Sequence, residues 1–337
     1  MKTETSTRVI EVGGRSLGAG RFAGASFLLL YGRQIGLPLA VSALLILFAS
    51  LSDVFFTLSN FRNVGLQAAA LAAVSFGQTV VILTAGLDLS VGAIVAVVSV
   101  IMALAMLKFG ILGGALVGLL AGIGAGLMNG FIITRLRVFP FIATLAMMSF
   151  LSGLALNLSG GTPVTGLSAA FTNFAYQRLL GVPIPVVVSL TLLLLTFLIL
   201  RYFRVGRNIY AIGGNQEAAR LSGLNVNLIK AMAYMYSGFC SAIAALILTA
   251  RVASGQPTLG LSLPLESVAA VVLGGVSLFG GRGSVIGVAF GVAFVSILSN
   301  GLNLLNVSSY TQMMVIGIAL AGAVTIDQAL VRRGNIH

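Results

Sequence analysis

Charge is what this chain has least of. Only 8% of its 337 residues are charged, against 58% apolar. A soluble globular protein carries about 25% charged residues. So little polar surface cannot cover a chain of this length in water, and it reads as an integral membrane protein. Histidine is scarcer still. The single one is His337, the last residue, which excludes a histidine metal site and a Ser-His-Asp triad. A single cysteine, Cys240, excludes an internal disulfide. Also missing are a Gly-x-x-x-x-Gly-Lys-Ser/Thr phosphate loop, an H-E-x-x-H helix and carboxylates at catalytic spacing. No catalytic residue, metal or cofactor is expected. Any ATP that drives this protein is hydrolysed by another chain.

The charge that is present has one dominant sign, with a net of +12. A nucleic-acid partner is one reading of such a balance. The better one is the cytoplasmic Lys/Arg excess that orients membrane proteins, with the bilayer as partner and no nucleic acid. Residues 1–34 are Gly-rich and basic, with Lys2, Arg8, Arg15, Arg21 and Arg33. Their apolar patch, Phe22 to Tyr31, is roughly ten residues and lacks a clear cleavage site, so a cytoplasmic tail with an interfacial segment is favoured over a signal peptide.

Apolar runs of about 20 residues, the length that crosses a bilayer as a helix, lie near 36–56, 64–84, 90–108, 111–133, 141–158, 184–203, 228–250, 264–279, 284–304 and 309–330. The fold expected is an all-α membrane protein of about ten transmembrane helices, with the transmembrane domain at 35–331 and a cytoplasmic C-terminus at 332–337. The 264–279 run is short and Gly-rich, which suggests a broken helix. With both ends in the cytoplasm, only Arg62, Lys108, Arg178 and Arg251 fall outside, leaving 15 of the 19 cations inside.

That orientation puts the longest polar interval, Arg204 to Asn227, in the cytoplasm. It has the build of a short, well-terminated helix. Asn215 is a good N-cap, Glu217 complements the positive helix end, and Gly223 can take the left-handed conformation that stops it. Glu217 and Arg220 are spaced to pair on one face. A helix this short is marginal alone and is expected to dock on something.

The chain also repeats itself. Gly86-Leu-Asp-Leu-Ser-Val-Gly-Ala-Ile-Val-Ala-Val-Val98 resembles Gly260-Leu-Ser-Leu-Pro-Leu-Glu-Ser-Val-Ala-Ala-Val-Val272, and Asn129-Gly130 is echoed by Asn300-Gly301. In the ten-span frame the copies are five spans apart, so they have opposite topology. A five-plus-five inverted repeat is typical of transporters, with the pathway at the repeat interface. The glycine stripes Gly114/118/122/126 and Gly283/287/291 read as helix-packing surfaces. Asp88 and Glu266 are the two intramembrane acids. They are pathway candidates, together with Ser90, Asn129 and Asn300, or else helix-end stabilisers. Asp53 and Asp327 read as interface charges. Met147, Met148, Met313 and Met314 read as core packing.

Several stretches resemble the membrane permease subunits of bacterial ABC importers for monosaccharides, most closely the ribose-type permeases. They are Thr79 to Gly92, Phe141 to Met148, Tyr210 to Asn227, Ala269 to Gly275, Gly280 to Gly283 and Asn300 to Tyr310. The resemblance runs from roughly residue 50 to 328. It implies a type II importer architecture and a second permease copy, with the pathway between the two. It implies a cytoplasmic ABC ATPase, often with two fused nucleotide-binding domains, and a periplasmic or lipid-anchored sugar-binding protein. It makes Gly214, Asn215, Gln216, Glu217, Ala218, Ala219, Arg220, Leu221, Ser222 and Gly223 the coupling helix that docks on the ATPase. The chain departs from the ribose-type pattern at Pro264-Leu265-Glu266-Ser267, where that pattern has an acid followed by Leu-Asp. A branched-chain amino acid ABC permease and an ion-coupled secondary sugar carrier are the alternatives.

Overall fold

The computed structural model describes residues 36–334. The tail expected at 1–34 lies outside the described residues, as do residues 335–337 and the side chain of Asp327. Helices α1 (Gly36–Leu51), α2 (Leu58–Leu83), α3 (Val91–Thr134) and α4 (Pro140–Ser159) come first. A short α5 (Ala169–Phe174) and a two-stranded hairpin, β1 (Arg178–Leu179) with β2 (Val182–Pro183), follow. Then come α6 (Ile184–Tyr202), α7 (Arg204–Gly214), α8 (Gln216–Leu221), α9 (Val226–Val252), α10 (Leu263–Leu273), α11 (Val285–Leu304) and α12 (Ser309–Gly334).

Each apolar run is occupied by helix. Among the described residues, six helices are long and apolar enough to cross a membrane: α2, α3, α4, α6, α9 and α11. Helices α1, α10 and the Ser309–Gly322 part of α12 are apolar but shorter. The expected runs at 90–108 and 111–133 share α3, which bends without a loop at Gly110 (φ 73°, ψ −179°). An added Cβ there would meet nothing within 4 Å, so the backbone conformation and not the space requires glycine. The second half of α3 folds back on the first, because Gly114 lies against Met106 and Gly118 against Met102.

Helix α2 is the centre. From Ala69 to Leu83 its side chains are buried, and α9, α6, α11 and α10 surround it. Lipid is as apolar as leucine, so helix association in a membrane rests on close van der Waals approach at small residues. The glycine stripes supply it. Gly122, Gly126 and Gly130 of α3 sit against Ala242, Tyr234 and Ala231 of α9, and Gly287 and Gly291 of α11 sit against Gly274, which caps α10, and Ala270 of α10. The methionine reading holds for Met147, which is buried, and fails for Met313 and Met314, which are 59% and 61% exposed. Helix α12 packs on α10 and α11.

The helical path is broken at both repeat motifs. Between α2 and α3 the chain leaves the helix at Thr84 and turns through Ala85 (φ 57°) before α3 begins at Val91. Helix α10 is 11 residues long, about 16 Å, roughly half a hydrocarbon layer. The two repeat motifs touch, since Gly92 packs against Gly260 and Pro264.

Candidate functional site

The polar island folds as two helices. Helix α7 was not foreseen. Its signal was the spacing of Ile209 and Ile212, which are 2% and 1% exposed on a helix whose other face is polar. Gly206 packs on Ile199 and Leu200 and lets α7 turn tightly off α6. Tyr210 donates its hydroxyl to the carbonyl of Gly283 at 3.0 Å, and burial pushes that phenol above its ordinary pKa.

Helix α8 is terminated as its residues suggest. Asn215 Oδ1 accepts from the Ala218 N–H at 2.9 Å. Gly223 takes φ 84°, with its N–H on Arg220 O (3.0 Å) and that of Leu224 on Ala219 O (3.1 Å). These bonds satisfy the carbonyls left over at a helix end. Arg220 donates to both carboxylate oxygens of Glu217, Nη2–Oε1 at 2.6 Å and Nε–Oε2 at 3.1 Å. That hydrogen bonding, with the attraction of the guanidinium, holds Glu217 below and Arg220 above their ordinary pKa values. Lys230 of α9 donates to Gln216 Oε1 at 2.6 Å and ties α8 to the next long helix. Only Ala219 of α8 is buried, and Leu221 stands 75% exposed. An apolar side chain that exposed, on a rigid capped turn, is a surface made for contact.

The five intramembrane candidates separate into three places. Asp88, Ser90 and Asn129 form one cluster, each fully buried. Asp88 Oδ1 accepts from the Ser90 N–H (3.0 Å) and hydroxyl (2.6 Å), and Oδ2 accepts from Ser237 Oγ at 2.9 Å. Asn129 donates to Ser90 Oγ at 2.7 Å. The cluster ties the α2–α3 break to α9 and gives the carboxylate the bonds that burial demands. Asn300 lies elsewhere, in a reciprocal amide pair with Asn60 at 3.0 Å in both directions.

Glu266 is in a third place, half-buried on a cavity of about 420 Å³. Gln67, Arg251, Ser299 and Gln312 line the same cavity. Sequence reading missed Ser237, Gln67 and Gln312, because hydroxyls and amides on apolar helices carry no spacing signal. Arg251 did carry one, as one of four cations on the minority side.

With this geometry in view, the comparisons with known proteins are informative. Residues 60–324 match the family model described as branched-chain amino acid transport system / permease component. The chain is 43% identical to the ribose import permease protein RbsC of Bacillus subtilis, over 88% of this chain and 93% of the relative. It is 33% identical to the D-allose transport system permease protein AlsC of Escherichia coli, over 89% and 93%. It is 37% identical to the L-arabinose transport system permease protein AraH of Escherichia coli, over 88% and 90%. No solved structure matches. The chain belongs to the branched-chain amino acid transport system / permease component family, as a multi-pass, all-α membrane permease.

Proposed function

We propose that this chain forms the transmembrane pathway of an ATP-driven monosaccharide importer, for ribose or a related sugar, in the bacterial inner membrane with both termini cytoplasmic. The relatives' names, ribose, allose and arabinose permeases, support a sugar as cargo. The observation that carries the coupling is α8, a capped, salt-bridged turn with Leu221 exposed at its end. It docks on a cytoplasmic ABC ATPase, with the two nucleotide-binding domains fused or separate, and the permease itself performs no catalysis. A periplasmic or lipid-anchored sugar-binding protein delivers the cargo to the opposite side. A second copy of this chain completes the transmembrane unit.

The contacts of α7 support an alternating-access mechanism. Motion of α8 reaches Gly213 directly, and Gly213 packs on the Leu83 carbonyl at the end of α2 and on Gly281 in the turn after α10. A push on α8 therefore bears on both broken segments at once, the rigid-body gating expected of inverted-repeat transporters. The test is ATP-driven uptake by proteoliposomes holding this chain, its partner ATPase and its binding protein. Uptake of radiolabelled D-ribose, D-allose or L-arabinose supports the reading. Uptake of L-leucine with none of the sugars would replace the cargo with a branched-chain amino acid, as the family description allows.

A further inference from the structure

We infer that each protomer holds its own sugar site, in the cavity between α2, α9, α10, α11 and α12. The inference rests on the importer reading above and deepens it, because that reading leaves the residues that meet the cargo unassigned. The two acids of the inverted repeat have parted company. Asp88 is enclosed and fully bonded. Glu266, its counterpart in the second motif, faces an open cavity. Arg251, at the far end of α9, lines the same cavity, about 40 Å along that helix from α8.

The two charges do not pair. Among the described residues the one ion pair is Glu217–Arg220. The Glu266 backbone N–H donates to Ser262 O at 3.1 Å, and among the same residues the Arg251 guanidinium forms no side-chain bond. Ionisable groups at membrane depth are costly unless paired or facing a hydrated path. Opposite charges that line one cavity of about 420 Å³ without pairing leave room for a ligand that satisfies both, and that volume lies in the range of small-molecule sites.

A neutral polyol meets the requirement. Each hydroxyl both donates and accepts, so adjacent hydroxyls donate to the Glu266 carboxylate and accept from the Arg251 guanidinium. Gln67 and Ser299 add neutral polar groups. Gln312 donates its amide to Asn303 Oδ1 (2.8 Å) and Val307 O (3.0 Å), which leaves its carbonyl as an acceptor. Met313 and Ile316 supply an apolar wall for the carbon face of a ring. A zwitterion would use the two charges and leave the amides without work.

The test uses the complete reconstituted complex with D-ribose, D-allose and L-arabinose as probes. Glu266→Gln removes a charge-assisted hydrogen bond, a loss of about tenfold or more in affinity. It is expected to raise the KM for uptake by that factor while detergent-extracted yield stays unchanged. Gln67→Ala should change the order of preference among the three sugars, which a purely structural role would not do. Ser299→Cys places a thiol on the cavity, while native Cys240 is fully buried. Alkylation of the introduced thiol by a membrane-impermeant maleimide should slow when the transported sugar is present. Unchanged KM, unchanged preference and unprotected alkylation in a complex that does take up sugar would overturn the site alone. A wild-type complex that takes up none of the sugars would overturn the importer reading and the site with it. Protection of the Ser299→Cys variant by L-leucine and by no sugar would also overturn the sugar assignment.

Discussion

The amide of Gly281 donates to the carbonyl oxygen of Leu83 at 3.0 Å. That carbonyl belongs to the last turn of α2, where helix geometry leaves it without an intrahelical partner. The bond comes from the glycine turn that follows α10, in the other half of the repeat. Gly213, at the end of α7, packs on the same oxygen. Three segments thus meet at one backbone atom, and the polar island reaches the broken parts of the membrane core through it.

This meeting makes Gly213 a sensitive position. A Cβ there would collide with Leu83 O and with Gly281 N, which are backbone atoms that cannot rotate aside. Gly213→Ala should force the contact open, at a cost of about 1–3 kcal/mol typical of overpacking. ATP-driven uptake should fall several-fold or more while the ATPase still hydrolyses ATP. Gly214→Ala is the control, because an added Cβ at Gly214 meets nothing within 4 Å. Equal uptake by both variants would remove the contact from the coupling route.

Reversing the charges of α8 tests the docking surface itself. Glu217→Lys with Arg220→Glu keeps two opposite charges on the same face but inverts what a partner meets. It also places a cation at the positive end of the helix, a penalty of a few tenths of a kcal/mol, too small to unfold the protein. Expression should therefore be retained, while binding of the ATPase and ATP-driven uptake drop by about tenfold or more, the loss expected for charged contacts in an interface. Normal uptake in the double variant would refute the docking role.

The pH dependence of α8 has a definite sign. Hydrogen bonding from Arg220 lowers the Glu217 carboxyl below its ordinary value of 4.5. A lowered folded pKa means the stabilisation is present above the ordinary value and is lost as pH falls through the lowered one. ATPase binding measured between pH 5 and 8 should therefore show no step from this pair. A fall in affinity confined to lower pH, and absent in Glu217→Gln, is the expected signature. Both side chains are 64% exposed, so added salt should weaken the effect.

The caps and charges of α8 were legible because capping is local chemistry, written in residues 215 to 223. The break before α3 was legible because the apolar run from Val64 to Leu107 is too long for one span, and the shortness of α10 because the 264–279 run is short and glycine-rich. What was not legible depends on which residues meet across the fold. Asp88 and Glu266 look alike in sequence, each an acid near a broken helix. Ser237, 149 residues away from Asp88, turns the first into an enclosed tie, and no partner of that kind closes the second among the described residues. The amphipathic α7 was hidden by its three glycines, Gly206, Gly213 and Gly214, which read as loop; Gly206 and Gly213 in fact permit close packing near its two ends.

Asp88→Asn distinguishes an enclosed tie from a pathway residue. The carboxylate accepts from Ser90 twice and from Ser237. An amide presents two of its own hydrogens to a shell of donors and leaves some of them unsatisfied, at about 1–3 kcal/mol. The variant should unfold at a lower temperature in detergent and accumulate less in membranes. Ser237→Ala, which removes one donor, should do so more mildly. In the protein that does fold, the KM for sugar should match the wild type. A raised KM with unchanged thermal stability would return Asp88 to the pathway.

The Asn60–Asn300 pair lends itself to a double-mutant cycle. Its two bonds, both 3.0 Å, join the start of α2 to the end of α11 across 240 residues. Asn60 also donates to Phe55 O at 2.9 Å, so Asn300→Ala leaves it partly satisfied. Interhelical hydrogen bonds in membranes average about 0.6 kcal/mol, so two of them imply a coupling energy near 1 kcal/mol. The double variant Asn60→Ala/Asn300→Ala should then cost about that much less than the sum of the single variants. Denaturation of the purified permease in mixed micelles measures it. Strict additivity would mean that the two amides contribute nothing to each other.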